Sequence, residues 1–236
     1  MNQLSLRRAG QRSSLLAYIL IALCLILTPA QARTLNLTKQ KIKNVTKIKV
    51  KEGITKLKLQ RNKIRNIAPL QLPSTLKELN ISNNKITDLK DLQLNSNLEA
   101  LTAYSNEITT VNGLVLPDKL QFLSLSLNDI EDVHTLNLPP DLEELRLSQA
   151  SLTDASINGL VLNENLDSLN LVLNNITTLR GIQFNDKIKD LAIGANDFRE
   201  IDWSLIPQSV EILTLVGNNS VTNYEEMILP PNLKVL

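Results

Sequence analysis

The chain has 236 residues, 43% of them apolar, 21% charged and only 3% aromatic, with a formal charge of +1. That apolar share excludes wholesale disorder, and seven glycines with nine prolines exclude collagen-like and linker-like chains. One histidine (His134) and one cysteine (Cys24) leave no material for nucleophile–histidine relays, histidine metal sites or thiolate clusters, so a non-enzymatic protein without cofactor or metal is expected.

Residues 1–32 read as a secretory signal peptide. Arg7, Arg8 and Arg12 form a basic start, and Leu15 to Leu27 is an uncharged run of 13 residues, short for a membrane span. Pro29, Ala30, Gln31 and Ala32 then give a small-x-small cleavage pattern, with cleavage expected after Ala32. An uncleaved signal anchor is the alternative. Cleavage removes Cys24, so the remaining 33–236 domain has no disulfide and rests on packing. No second apolar run is long enough to span a bilayer, and a secreted, extracellular location is expected.

From residue 33 onward the sequence repeats. Leu35, Leu57, Leu79, Leu101, Leu123 and Leu145 are each 22 residues apart, and Leu169, Leu191, Leu213 and Leu236 continue at 24, 22, 22 and 23. Each unit reads L-x-x-L-x-L-x-x-N-x-I, as in Leu76 to Ile86. The x-L-x-L-x alternation is that of a strand with leucines inward. The return half, Ile64-x-x-Ile67-x-x-Leu70, has apolar residues three apart, which suits 3₁₀-like turns. Pro73, Pro117, Pro139, Pro207 and Pro230 share one position and are expected to hold the backbone extended before the next strand. The predicted fold is an α/β repeat solenoid of about ten turns, with a parallel sheet on the concave face and 3₁₀ or irregular turns on the convex one. A single turn could not bury its own apolar face.

Asn62, Asn84, Asn106, Asn128, Asn174, Asn196 and Asn218 form a column at the end of each strand segment. Amides in that position are expected to satisfy backbone groups of the curving loop as an internal ladder. Gln40 and Ala150 interrupt the column, and two extra residues after Ala150 predict a disturbance of the spiral there.

Outward positions of the strands form the concave face. Tyr104, Phe122 and Leu127 fall on adjacent turns as an aromatic–aliphatic cluster, and Val172, Leu173, Ile212 and Val216 form a second apolar patch. Both are candidates for binding a protein ligand, against the alternative of cross-strand packing. Charge is segregated: residues 33–65 hold 12 Lys or Arg against Glu52, a net +11, whereas residues 66–236 hold 10 against 23 acids, a net −13. A basic patch at Lys39, Lys56, Lys58 and Arg61 suits acidic polysaccharide, anionic headgroups or an acidic protein, or serves as a solvated cap that discourages strand addition. Nucleic acid is disfavoured, because no aromatics interleave with these lysines. Candidate N-glycosylation sequons stand at Asn36, Asn44, Asn80 and Asn175; a fifth, Asn218, lies in the amide column and is expected to be inaccessible.

The repeat matches the leucine-rich repeat consensus. Its 22-residue unit resembles those of bacterial internalins and of phosphatase regulators. The second half, as in Asn112 to Pro117 and Gly181 to Phe184, is similar to repeats of secreted or receptor-kinase-like oomycete proteins. That resemblance implies extracellular recognition, either by a secreted module or by the ectodomain of a membrane receptor. The last residues, Leu233 to Leu236, stop within a repeat, so Leu229, Leu233 and Leu236 are expected to lie uncovered unless more chain or a partner follows.

Overall fold

The computed structural model describes residues 33–236; the predicted signal segment and Cys24 lie outside them. Among the described residues eleven short strands follow in chain order. They are β1 (Thr34–Asn36), β2 (Lys56–Lys58), β3 (Glu78–Asn80), β4 (Ala100–Thr102), β5 (Phe122–Ser124), β6 (Glu144–Arg146), β7 (Leu160–Val161), β8 (Ser168–Asn170), β9 (Ile182–Gln183), β10 (Asp190–Ala192) and β11 (Ile212–Thr214). Nine of them form one parallel sheet in the order β1-β2-β3-β4-β5-β6-β8-β10-β11, and β7 pairs with β9 on the return path. The repeat leucines pair in strict register, Leu57 opposite Leu79 and Leu79 opposite Leu101. A bridge from Ile212 to Val235 begins a tenth rung.

The apolar residues of each turn meet inside. Leu57, Leu59, Ile64, Ile67, Leu70 and Leu76 are all fully buried in one continuous core. At about 1.5–3 kcal/mol per buried aliphatic side chain, before entropy is subtracted, stacking of turns is the dominant stabilising term. On the return path the amide of Leu70 donates to the Ile67 carbonyl, Leu92 to Leu89, Leu114 to Val111 and Ile182 to Leu179. These three-residue closures explain the i, i+3 apolar spacing. They extend into 3₁₀ helices at Val133–Thr135, Trp203–Leu205 and Tyr224–Glu226.

Three expectations need refinement. The five column prolines each begin a turn: the carbonyls of Pro73, Pro117, Pro139, Pro207 and Pro230 accept from the amide three residues on. The extended backbone that proline favours is thus the entry to a tight reversal. The spiral is also not disturbed on the concave side after Ala150, because β6 pairs directly with β8, Glu144 opposite Ser168. The additional residues are absorbed on the return path by the short helix α1 (Asp154–Ile157) and by β7. Leu233, expected to lie uncovered, is half-buried against the core, while Leu229 and Leu236 are exposed.

Candidate recognition face

The asparagine column forms a chain of shared hydrogen bonds. Asn84 accepts from the Ile64 amide and donates to the carbonyls of Leu59 and Ile81. Asn106 accepts from Ile86 and donates to Ile81 and Ala103, and Asn128 accepts from Ile108 and donates to Ala103 and Leu125. Asn62 starts the run, accepting from Ile42 and donating to Leu37 and Leu59. Asn174 accepts from two amides, Ala150 and Leu152, and donates to Leu147 and Leu171, the latter shared with Asn196. Asn218 differs: it accepts from the Asn196 amide and donates only to Ile193. At the interruption the Ile130 amide, which would meet an asparagine side chain, bonds instead to the backbone carbonyl of Ala150 at 2.9 Å. No sequence signal marks that replacement.

Three residues beyond each concave strand the backbone turns left-handed. Lys39, Arg61, Asn83, Ser105, Leu127, Gln149, Leu173 and Ala195 have φ between 49° and 60°, and Gly217 has 91°. For a residue with a Cβ this conformation costs on the order of 1–2 kcal/mol. The repeat imposes it, because it carries the chain from the strand into the amide-braced loop. Side chains here stand on the rim of the concave face. Leu127 is 40% exposed and Leu173 55% exposed, and Val216, one residue before the column, is 82% exposed.

The predicted clusters separate along the strands. Phe122 pairs with Ala100, and Tyr104 lies four residues beyond Ala100, about 13 Å away at roughly 3.3 Å per residue. Tyr104 and Leu127 therefore share one end of the sheet, and Phe122 the other. The Phe122 ring instead lies under the Arg146 guanidinium, 5.1 Å from its centroid, and Arg146 also pairs with Glu144. Register could have found this, since Glu144 stands opposite Phe122 and Arg146 is two residues on. Likewise Val172, Leu173 and Val216 share the left-handed end, with Gly194 and Ala195 between them, whereas Ile212 belongs to the opposite end beside Asp190 and Val235.

The basic patch divides in the same way. Lys56 pairs with Glu78 at 2.6 Å, and Lys58, the last residue of β2, is exposed. Lys39 and Arg61 occupy adjacent rungs of the left-handed column, make no ion pair among the described residues, and line a groove of about 620 Å³ with Gln40, Gln60, Asn83 and Tyr104. The opposite rim carries inter-turn ion pairs, Lys77 with Glu99, Lys189 with Asp167 and Lys234 with Glu211. The Lys234 ammonium holds the Glu211 carboxyl below its ordinary value.

Beside that rim, burial, reinforced by Glu144 and Asp167, raises the Asp190 carboxyl above its ordinary value of 3.8. A carboxyl with a raised folded-state pKa destabilises the fold once ionised, and this penalty disappears below its unfolded value. Asp190→Asn is thus expected to raise the urea midpoint at pH 7. The gain should shrink as pH falls through the raised pKa and level off below 3.8. A gain that grows on acidification would contradict this assignment.

Among the sequons, Asn36 and Asn44 are exposed and each bonds an amide two residues on, while Asn80 is half-buried on the concave face. Asn175 donates to Asp197, and Asn218 is buried, 2% exposed. Among the described residues no group of three or more His, Cys, Asp or Glu is placed to hold a metal ion, and no helix is long and apolar enough to cross a membrane.

Parallel rungs, inward leucines and an amide ladder define a leucine-rich repeat solenoid. The family model described as leucine-rich repeats (2 copies) matches residues 52–94. In fold the chain is similar to an internalin (inlF) of Listeria monocytogenes, with a TM-score of 0.62 at 20% identity over 77% of this chain and 53% of that one. It is similar to YopM from Yersinia enterocolitica, with a TM-score of 0.55 at 20% identity over 80% of this chain and 42% of that one. The leucine-rich repeat domain of APL1B gives a TM-score of 0.52 at 18% identity over 88% of this chain and 66% of that domain. The chain thus spans about half the length of the first two. No curated protein matches the sequence.

Proposed function

We propose that this chain is a non-enzymatic recognition module that binds a protein ligand on its concave face, outside the cell, as a secreted protein or as the ectodomain of a membrane receptor. The observation that carries the reading is the pair of exposed leucines, Leu127 and Leu173, held at left-handed backbone positions. Neither side chain is needed to fill the core. A glycine would relieve the backbone at both places, so selection for display explains leucine there better than selection for folding. The export signal read in residues 1–32 supports the extracellular location. Of the sequons, Asn44 and Asn175 stand outside the concave groove and would carry N-glycans in a eukaryotic secretory pathway, whereas Asn36 and Asn80 line it, where a glycan would obstruct the ligand. The folded state shields Asn218, whose amide nitrogen is already bonded to Ile193.

The test is capture from extracellular fluid by the immobilised chain. Tyr104→Ala combined with Leu127→Ala should weaken capture of the bound protein at least tenfold, about 1.4 kcal/mol. The thermal midpoint should stay close to that of wild type, because Leu127 is exposed and Tyr104 is half-buried at the surface of the groove rather than in the core. Undiminished capture, with the same result for Leu173→Ala and Val216→Ala, would remove the concave face from the reading.

A further inference from the structure

Along the left-handed column the chemistry changes in one direction. Turns one and two present Lys39 and Arg61, turn five Leu127 and turn seven Leu173, with Val216 beside the column at turn nine. The intervening members, Asn83, Ser105 and Gln149, are uncharged and polar. The two cations are one rung apart: Lys39 donates its amide to the Gln60 carbonyl, and Arg61 donates its own to Ser82. Within the groove beside them, the side-chain oxygen of Gln60 is buried without a hydrogen-bond partner.

We infer that this column receives one extended polypeptide segment, acidic at the end over Lys39 and Arg61 and apolar at the end over Leu127, Leu173 and Val216. This inference rests on the concave-face reading and specifies its ligand. Charge complementarity selects the acidic end: Lys39 and Arg61 have no carboxylate partner among the described residues, whereas Lys56, at the other end of the strands, is already paired. A guanidinium and an ammonium on neighbouring rungs suit carboxylates spaced along a chain. The apolar end selects polypeptide over polysaccharide, since only a polypeptide offers both carboxylates and aliphatic side chains along one backbone. Amides at Gln40, Gln60 and Asn83 can both donate to and accept from a peptide backbone. Eight rungs at about 4.8 Å separate turns one and nine, about 38 Å, which an extended segment covers in roughly 12 residues.

A display library of random 12-residue peptides selected on the full chain tests this. Enriched peptides should carry two or more Asp or Glu at one end and Leu, Ile, Val or Phe at the other, in a single chain direction. For a synthetic copy of an enriched peptide, Lys39→Gln with Arg61→Gln should weaken binding at least tenfold and flatten its salt dependence. Leu173→Ser with Val216→Ser should weaken it at least threefold with the salt dependence unchanged. Circular dichroism melts matching wild type show that the variants remain folded. Enriched peptides without segregated ends, or an absence of enrichment, would overturn the inference. So would a sulfated polysaccharide that binds more tightly than any selected peptide and is indifferent to the Leu173 and Val216 substitutions. If the captured extracellular protein is lost on Tyr104→Ala with Leu127→Ala but not on Lys39→Gln with Arg61→Gln, the peptide inference fails while the concave-face reading stands. If no concave substitution affects capture, both fail.

Discussion

Asn174→Ala should lower the unfolding free energy by about 3 kcal/mol, more than any other change in the asparagine column. Its side-chain oxygen accepts from the amides of Ala150 and Leu152 at 2.9 and 3.0 Å, and its nitrogen donates to Leu147 and Leu171. Truncation strands two buried amides, and a buried donor without a partner costs about 1–3 kcal/mol. It also frees the Leu147 carbonyl, which no neighbouring asparagine reaches because Ala150 occupies the preceding place in the column. Asn218→Ala provides the contrast. Truncation there strands one amide, that of Asn196, rather than two, and its donor goes to Ile193, a carbonyl that Asn196 also serves, so a loss of about 1 kcal/mol is expected. Urea unfolding of the two variants measures the difference. Equal midpoints would show that the bonds, though formed, do not set stability.

Gly194→Ala should destabilise by about 1–3 kcal/mol, the usual range for forced overpacking. Its backbone is not left-handed; the constraint is proximity. A Cβ on Gly194 would lie 2.5 Å from the Val216 carbonyl oxygen and 3.3 Å from the Val216 nitrogen. Backbone atoms cannot rotate away, so turns eight and nine would have to separate. The bond from the Ala195 amide to that same carbonyl, 2.8 Å long, would stretch first. The expected signature is a lower thermal midpoint together with faster hydrogen exchange at Ala195. A midpoint equal to wild type would mean that the last turns yield more easily than their hydrogen bonding implies.

The repeat fold was legible because its physics is periodic. A 22-residue spacing of leucines, an aligned asparagine and an i, i+3 return path are each recorded in residue type, and the strands fall where alternation placed them. What escaped was anything carried by backbone atoms or by relative position. The Ala150 carbonyl serving Ile130 has no side chain to announce it, and the close approach at Gly194 is visible only once adjacent rungs are stacked. Assigning Tyr104 and Phe122 to one cluster counted turns but not places along a strand. Four residues of extended chain separate their positions, so neighbouring turns did not mean neighbouring rings. The left-handed column could be numbered from the sequence, but its conformation could not, since lysine, arginine and leucine there are not residues that favour positive φ.

The missing amide at Ala150 also bears on how the array comes apart. From Asn62 to Asn128, and again from Asn174 to Asn218, successive asparagines share a carbonyl, so each brace depends on the next. Across Ala150 no carbonyl is shared: between turns five and six the asparagine brace gives way to the Ile130–Ala150 backbone bond and to the hydroxyl bonds of Ser148 with Ser126 and Ser151 with Asp129, beside the strand ladder and apolar contact. In a linear array whose stability is a sum of nearest-neighbour terms, the weakest coupling sets where cooperativity divides. Turns before and after this seam should therefore open as two units under mechanical load, with the first rupture between β5 and β6, because Asn174 still braces β6 to β8.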